Sequence, residues 1–129
     1  VDTRTKIIDA ESAAVLAQKL RAQGTSLKLI TGHFDVLTAE HVRRLREIHN
    51  GTSTLFVMVV DPPAPVLAAR ARAELVAALA MVDYVVPAAG QAVPELLAQF
   101  RVSEIVQEET ADLLRARRLA EHVQSRHQH

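Results

Sequence analysis

A chain of 129 residues with 49% hydrophobic content can bury one real core and leaves no room for a second domain. Fifteen basic residues balance fifteen acidic ones, and the aromatics are three Phe and one Tyr, so neither the basic footprint nor the stacking platforms of a nucleic-acid binder are evident. The lack of cysteine excludes disulfides and thiolate metal sites. With no leader-like segment and no apolar stretch of about 18 residues, the expectation is one domain over residues 1–129, soluble and cytoplasmic, with no nucleic-acid or membrane partner.

Helix and strand signals alternate along the chain. Asp9 stands at a helix N-cap position, and the helix predicted from about Glu11 to Gln23 has Ala14, Leu16 and Leu20 among its apolar residues and Gly24 as a left-handed cap. Leu27-Lys28-Leu29-Ile30 is a short buried-strand run, and Gly32 follows it at a strand-to-helix turn. Val42, Leu45 and Ile48 set the face of a helix from about Ala39 to His49, which stops at Asn50-Gly51 with His49 placed to help its carboxyl end. Thr54 to Val60, rich in β-branched and apolar residues, reads as a buried parallel strand.

Asp61-Pro-Pro-Ala-Pro must be a loop, because its prolines remove amide donors and fix φ. Helix resumes from about Val66 to Met81, Asp83 to Val86 is a strand, and Pro94 lies near the start of another helix ending by Phe100. Ile105 and Val106 mark a short fourth strand, Thr110 with Asp112 a helix start, and Leu113, Ala116, Ala120 and Val123 share one helical face. Residues 124–129 are expected to fray. Strand and helix repeated in this way imply an α/β fold, a Rossmann-like three-layer α/β/α sandwich with a mostly parallel sheet.

The chemistry concentrates in residues 31–45, Thr-Gly-His-Phe-Asp-Val-Leu-Thr-Ala-Glu-His-Val-Arg-Arg-Leu. In an open α/β sheet, a turn at the carboxyl end of a strand is where ligands bind and where helix amides face an anion. The segment resembles the signature of the cytidylyltransferase-like nucleotidyltransferases, G-x-F-D-x-x-H-x-G-H, with Gly32, Phe34, Asp35 and His41 at matching positions. Val57 to Asp61 looks like the family's second strand with its terminal Asp, and Arg72 to Val86 like its third helix and strand. Lys6-Ile7-Ile8 and the helix ending at Gly24 are similar to the lead-in of the heptose-phosphate or glycerol-phosphate branch, so the resemblance spans roughly residues 5 to 107.

The resemblance implies nucleotidyl transfer from a nucleoside triphosphate, ATP or CTP with Mg²⁺, to a small phosphorylated sugar or polyol, with pyrophosphate release. It places Gly32, His33, Phe34, Asp35, Asp61 and Arg72 at the nucleotide and phosphates, and His41 with Thr38 at the two histidine positions. The chain departs from the pattern at the groups that stabilise negative charge. Thr38 replaces the first histidine by a neutral hydroxyl, and losing such a donor costs about 10²- to 10³-fold in rate.

Glu40 brings a carboxylate where the family has glycine. Either it faces solvent and favours the helix dipole, or it opposes a polyanion by roughly 1 kcal/mol in water and about 4 kcal/mol at an effective dielectric of 20. Pro62-Pro63-Ala64-Pro65 stands where relatives carry a lysine and an arginine, and Gln107-Glu108-Glu109 where they carry a second phosphate clamp. His33 either restores a cation when charged or is satisfied by loop carbonyls. Arg72 is either a ligand group or a solvated surface arginine. Asp35 ties the loop through backbone amides, and Asp61 meets a nucleotide or metal or caps the Pro-rich turn.

The remaining clusters are weaker signals. His122, His127 and His129 form a stray metal affinity, and Arg115-Ala-Arg-Arg118 a solvated helix face. The reading is a degenerate transferase with weak or lost activity. Its alternatives are a non-catalytic nucleotide or phosphate sensor and an interaction module that assembles as a homodimer.

Overall fold

The computed structural model describes residues 2–88 except 36, 50, 52 and 64, together with 98, 100, 104–109, 111–114, 117 and 118. A 3₁₀ turn (Thr3–Lys6) leads into α1 (Ala10–Ala22), β1 (Leu27–Gly32), α2 (Ala39–His49), β2 (Thr54–Val59), α3 (Ala69–Ala77), β3 (Tyr84–Pro87) and β4 (Glu104–Gln107). The sheet order is β3-β2-β1-β4, and every pairing among the described strands is parallel, in keeping with the mostly parallel sheet that the alternation of elements predicts. A lone parallel bridge from Ile7 to Val85 ties the lead-in to β3.

Alternation along the strands sorts the core into two layers. Ile30, Leu55, Val57, Val59 and Val85 pack with Leu45 and Ile48 of α2 and Ala73, Val76 and Ala77 of α3. Leu27, Leu29, Phe56, Met58 and Val86 face the other way, against Ala10, Ala13 and Ala17 of α1 and Phe100. The small alanine face brings α1 close to the sheet, and Phe56 there stacks on Tyr84 and meets Phe100 edge-on at ring centroid distances of 5.1 and 5.9 Å. Burial on both faces is what near-continuous apolar strands require.

Local chemistry sets the boundaries. Asp9 caps α1 by accepting from the Ser12 amide at 2.7 Å, and that bond holds its carboxyl below the ordinary aspartate value. The ammonium of Lys28 donates to the Ile48 carbonyl at 2.7 Å, and His49 Nδ1 accepts from the Gly51 amide, so α2 ends with both a cation and an imidazole at its carboxyl terminus. Helix α3 is shorter than the predicted span from Val66 to Met81. Its start is delayed because the amides of Val66 and Leu67 donate to Asp35, and it ends early in a tight turn in which Leu79 bonds back to Val76 and Val82 to Leu79. Residue 109 is already helical, one position before the predicted start at Thr110, which itself lies outside the described residues. The helix expected near Pro94 falls outside them too, apart from helical residues 98 and 100.

Candidate functional site

Strand order places a topological switch beside β1, since β2 and β3 lie on one side of it and β4 on the other. In open parallel sheets the crevice at such a switch, beyond the carboxyl ends of the strands, is the usual binding position. The residues that line it here are Gly32 at the end of β1, His33 and Phe34 just after it, His41 on α2, and Glu108 and Asp112 after β4. All are buried.

The backbone after β1 is strained and firmly held. Phe34 has φ +50°, a left-handed conformation that costs a bulky residue about 1–3 kcal/mol and persists only where its surroundings fix it. Arg72 supplies much of that fixing. Its Nη1 donates to the carbonyls of His33 and Val60 at 3.1 Å each, its Nε donates to Leu67 O at 3.2 Å, and its Nη2 pairs with Asp61. The guanidinium is fully buried, which rules out the solvated surface arginine, one of the two alternatives for this position. The opposite end of the loop is pinned by Asp35, whose two oxygens accept from the Val66 and Leu67 amides at 2.7 and 2.8 Å. Asp35 therefore ties the loop through backbone amides, as read from the sequence.

This bracing turns two consecutive amides in one direction, an arrangement that forms an anion-binding concavity. An anion is already there. Asp112 Oδ2 accepts from His33 N at 2.7 Å and makes a longer contact to Phe34 N at 3.4 Å, while Oδ1 meets His41 Nε2 at 2.5 Å. Gly32 makes room for the carboxylate, since a Cβ there would lie 2.6 Å from Asp112 Oδ2 and 2.8 Å from Phe34 Cε2.

Hydrogen bonds fix the tautomer of His41. The Thr38 amide donates to Nδ1 at 3.0 Å, so Nδ1 is the acceptor and Nε2 carries the hydrogen given to Asp112. A side chain in the first turn reaching back to the amide that precedes the helix is half of a capping box, with imidazole in place of the usual carboxylate. Thr38 Oγ1 also lies 3.0 Å from Nδ1, which completes a hydroxyl–imidazole–carboxylate series. It is not a nucleophile with a vacant base, because the single Nδ1 lone pair already receives the amide hydrogen. The Phe34 ring covers the imidazole at a centroid distance of 5.5 Å.

The other predicted residues divide between this cluster and its rim. His33 Nδ1 lies 2.9 Å from the Val60 carbonyl, the loop-carbonyl arrangement weighed against a free cation. Asp61 has a 42% exposed side chain and holds Arg72, which bounds the Pro-rich turn. Glu40 is exposed on the first turn of α2 and borders a cavity of about 310 Å³ with Thr38, Ala39, Arg43 and Arg118. Arg117 and Arg118 are exposed, and the three C-terminal histidines lie outside the described residues. Among the described residues no group of three or more His, Asp and Glu side chains is placed to hold a metal, and no helix is long and apolar enough to cross a membrane.

Sequence reasoning placed Asp112 at a helix start and assigned it no part in the site. Its signal was positional only, a carboxylate one turn after a strand that the sheet order sets beside β1.

No protein-family model and no curated protein matches the sequence. Among solved structures, the chain is similar to the lipopolysaccharide core biosynthesis protein from Thermoplasma volcanium GSS1. The match has a TM-score of 0.58 and 21% identity, and it covers 64% of this chain and 73% of that one. The two share a fold. At this identity the likeness establishes the Rossmann-like α/β architecture, and the functional reading rests on the residues of the site.

Proposed function

We propose that this chain is a cytidylyltransferase-like nucleotidyltransferase domain in which nucleotidyl transfer to a small phosphorylated sugar or polyol is weak or lost. The observation that carries this reading is the engagement of the loop amides and of His41 by Asp112. In a transfer reaction those donors would stabilise the triphosphate as charge builds on the departing pyrophosphate. Here they meet the two carboxylate oxygens of Asp112. The motif resemblance and the shared fold support the ancestry, and Thr38 and Glu40 reduce the positive character of the helix end that would face phosphate.

The residues suit a metal only as a companion of the nucleotide. Mg²⁺ would neutralise triphosphate charge when bound, and Asp61, at the carboxyl end of β2, is the described carboxylate nearest that role; it is already paired with Arg72. His41 would contribute one N–H donor, and the amides of His33 and Phe34 two more.

Calorimetric titration with ATP and CTP, with and without Mg²⁺, tests the reading beside a Thr38→His, Glu40→Gly double variant. The expected result is stronger nucleotide binding by the variant, through the donor that Thr38→His adds, and, in a separate assay, little or no pyrophosphate release by the natural protein with any phosphosugar or phosphopolyol acceptor. Turnover by the natural protein at the rate of an ordinary transferase, about 1–10³ s⁻¹, would sink it. A non-catalytic phosphate or nucleotide sensor is the second reading, favoured by the same contact, because a ligand displacing Asp112 would move the segment after β4.

A further inference from the structure

We infer that Asp112 is an intrasteric anion: the chain seats its own carboxylate in the oxyanion position of the β1–α2 loop, and the segment after β4 is the latch that holds it there. This concerns regulation of the site proposed above and rests on that reading.

The two oxygens of Asp112 meet N–H donors from three residues on two elements, His33 and Phe34 in the loop and His41 on α2. Such donors are selective for an oxyanion and indifferent to whether carbon or phosphorus bears it. A phosphoryl oxygen offers these donors the same kind of acceptor. The carboxylate is delivered by polar tethers that lie outside the donor set. Glu108 N donates to Thr31 O at 2.7 Å, continuing the β4 pairing, and Arg44 Nε donates to Glu108 Oε1 at 2.8 Å. Asp112 N then bonds to Glu108 O at 2.8 Å, which sets the carboxylate one helical turn beyond the anchored residue.

Among the described residues after β4 the hold is polar more than apolar: Leu113 and Leu114, immediately after Asp112, are each 44% exposed. Segments with little buried apolar contact open at low free-energy cost. A tethered carboxylate competes as a group at an effective concentration on the order of millimolar or more, so a phosphoryl ligand has to exceed that before it binds. The latch therefore sets a concentration threshold for the loop without abolishing its donors.

The test titrates inorganic phosphate and pyrophosphate into the natural protein, Asp112→Ala and Arg44→Ala. Asp112→Ala is expected to bind at least one of the two anions roughly tenfold or more tightly than the natural protein. Arg44→Ala, which keeps the carboxylate but loses a tether, is expected to fall between them. If Asp112→Ala is unfolded in plain buffer, refolding is followed by circular dichroism as either anion is added; recovery supports the latch, and failure to recover overturns it. Binding by the natural protein as tight as by the variant, or no binding by a folded variant, also overturns it. Repeating the titration with ATP and CTP separates the two ideas. Pyrophosphate binding to Asp112→Ala without any nucleotide binding leaves the latch and removes the nucleotide reading. Nucleotide binding of equal strength to both proteins does the reverse.

Discussion

Asp112 and His41, separated by 71 positions in the chain, are joined at 2.5 Å with each side chain only 3% exposed. The pairing closes the crevice between β1 and β4 and depends on a tautomer that Thr38 imposes from the far side of the imidazole. Asp112→Asn is a sharp probe of it. Asparagine has the right shape but one acceptor oxygen for donors on two sides, so its NH₂ must face either the His33 amide or His41 Nε2–H. Leaving a buried group unsatisfied in a charged network costs about 2–4 kcal/mol. Urea denaturation is expected to show that loss with an unchanged slope, and a change under about 0.5 kcal/mol would place Asp112 outside the network.

Legibility from sequence followed the range of the interaction. Apolar alternation in Thr54 to Val60 and the Asp9 cap are local, and both β2 and the start of α1 fall where the sequence puts them. The end of α3 was misjudged because the apolar period continues through Leu79 and Met81, which still pack against the core from a turn outside the helix. The role of Asp35 was visible since a short acidic side chain beside a loop has few other uses. The bracing role of Arg72 and the site role of Asp112 were opaque for another reason: each is defined chiefly by partners brought together by parallel pairing, and neither role has a local pattern to mark it.

Arg72 is expected to be among the most sensitive positions in the chain. Its guanidinium serves three carbonyls and Asp61 from a fully buried position. Arg72→Lys offers a point charge that cannot span that fork, and Arg72→Met leaves the carbonyls bare, so each is expected to cost about 3–5 kcal/mol. Asp61→Asn should cost far less, under about 1 kcal/mol, because the Asp61 side chain is 42% exposed and solvent screens the lost charge. Equal losses from the two ends would contradict this assignment.

Stability near pH 4 should depend on Asp9. The Ser12 amide holds its carboxyl below the ordinary value in the folded chain, so the stabilising contribution is present above the unfolded value and is lost as pH falls through the folded one. The window lies below about pH 4. Asp2 is shifted in the same direction by Arg4 and adds to the same window. Asp9→Asn keeps a cap acceptor but not the titration, so the difference between the melting temperatures of the two proteins should be constant above about pH 4 to 5 and shrink as pH falls below that. Parallel curves across that range would assign the acid sensitivity to other groups.

Glu40 distinguishes a blocked site from an electrostatically damaged one. It is exposed at the start of α2, where a carboxylate complements the helix dipole, and the anion position is held by Asp112. Glu40→Gly is expected to destabilise the protein by about 1 kcal/mol through lost helix propensity and dipole interaction. In a protein that retains Asp112 it should leave pyrophosphate affinity within about twofold, a shift of under about 0.5 kcal/mol. A tenfold gain from this substitution alone would mean that Glu40 charge, and not the buried carboxylate, guards the loop.

Gly32 offers the most direct check that the carboxylate lies against the strand end. A methyl group at this position would fall 2.6 Å from Asp112 Oδ2 and 2.8 Å from the Phe34 ring, so Gly32→Ala must displace one or both. Overpacking of this kind costs about 1–3 kcal/mol. Phe34 is buried in the core and already held at a left-handed φ, which leaves the Asp112 side chain as the partner with somewhere to go. Combining Gly32→Ala with Asp112→Ala removes that clash while keeping the one with the ring. The double variant is therefore expected to be more stable than the sum of the single losses by about 1 kcal/mol or more. Strict additivity in a double-mutant cycle measured by urea denaturation would show that the two residues do not share the crevice, and the site would have to be rebuilt without Asp112.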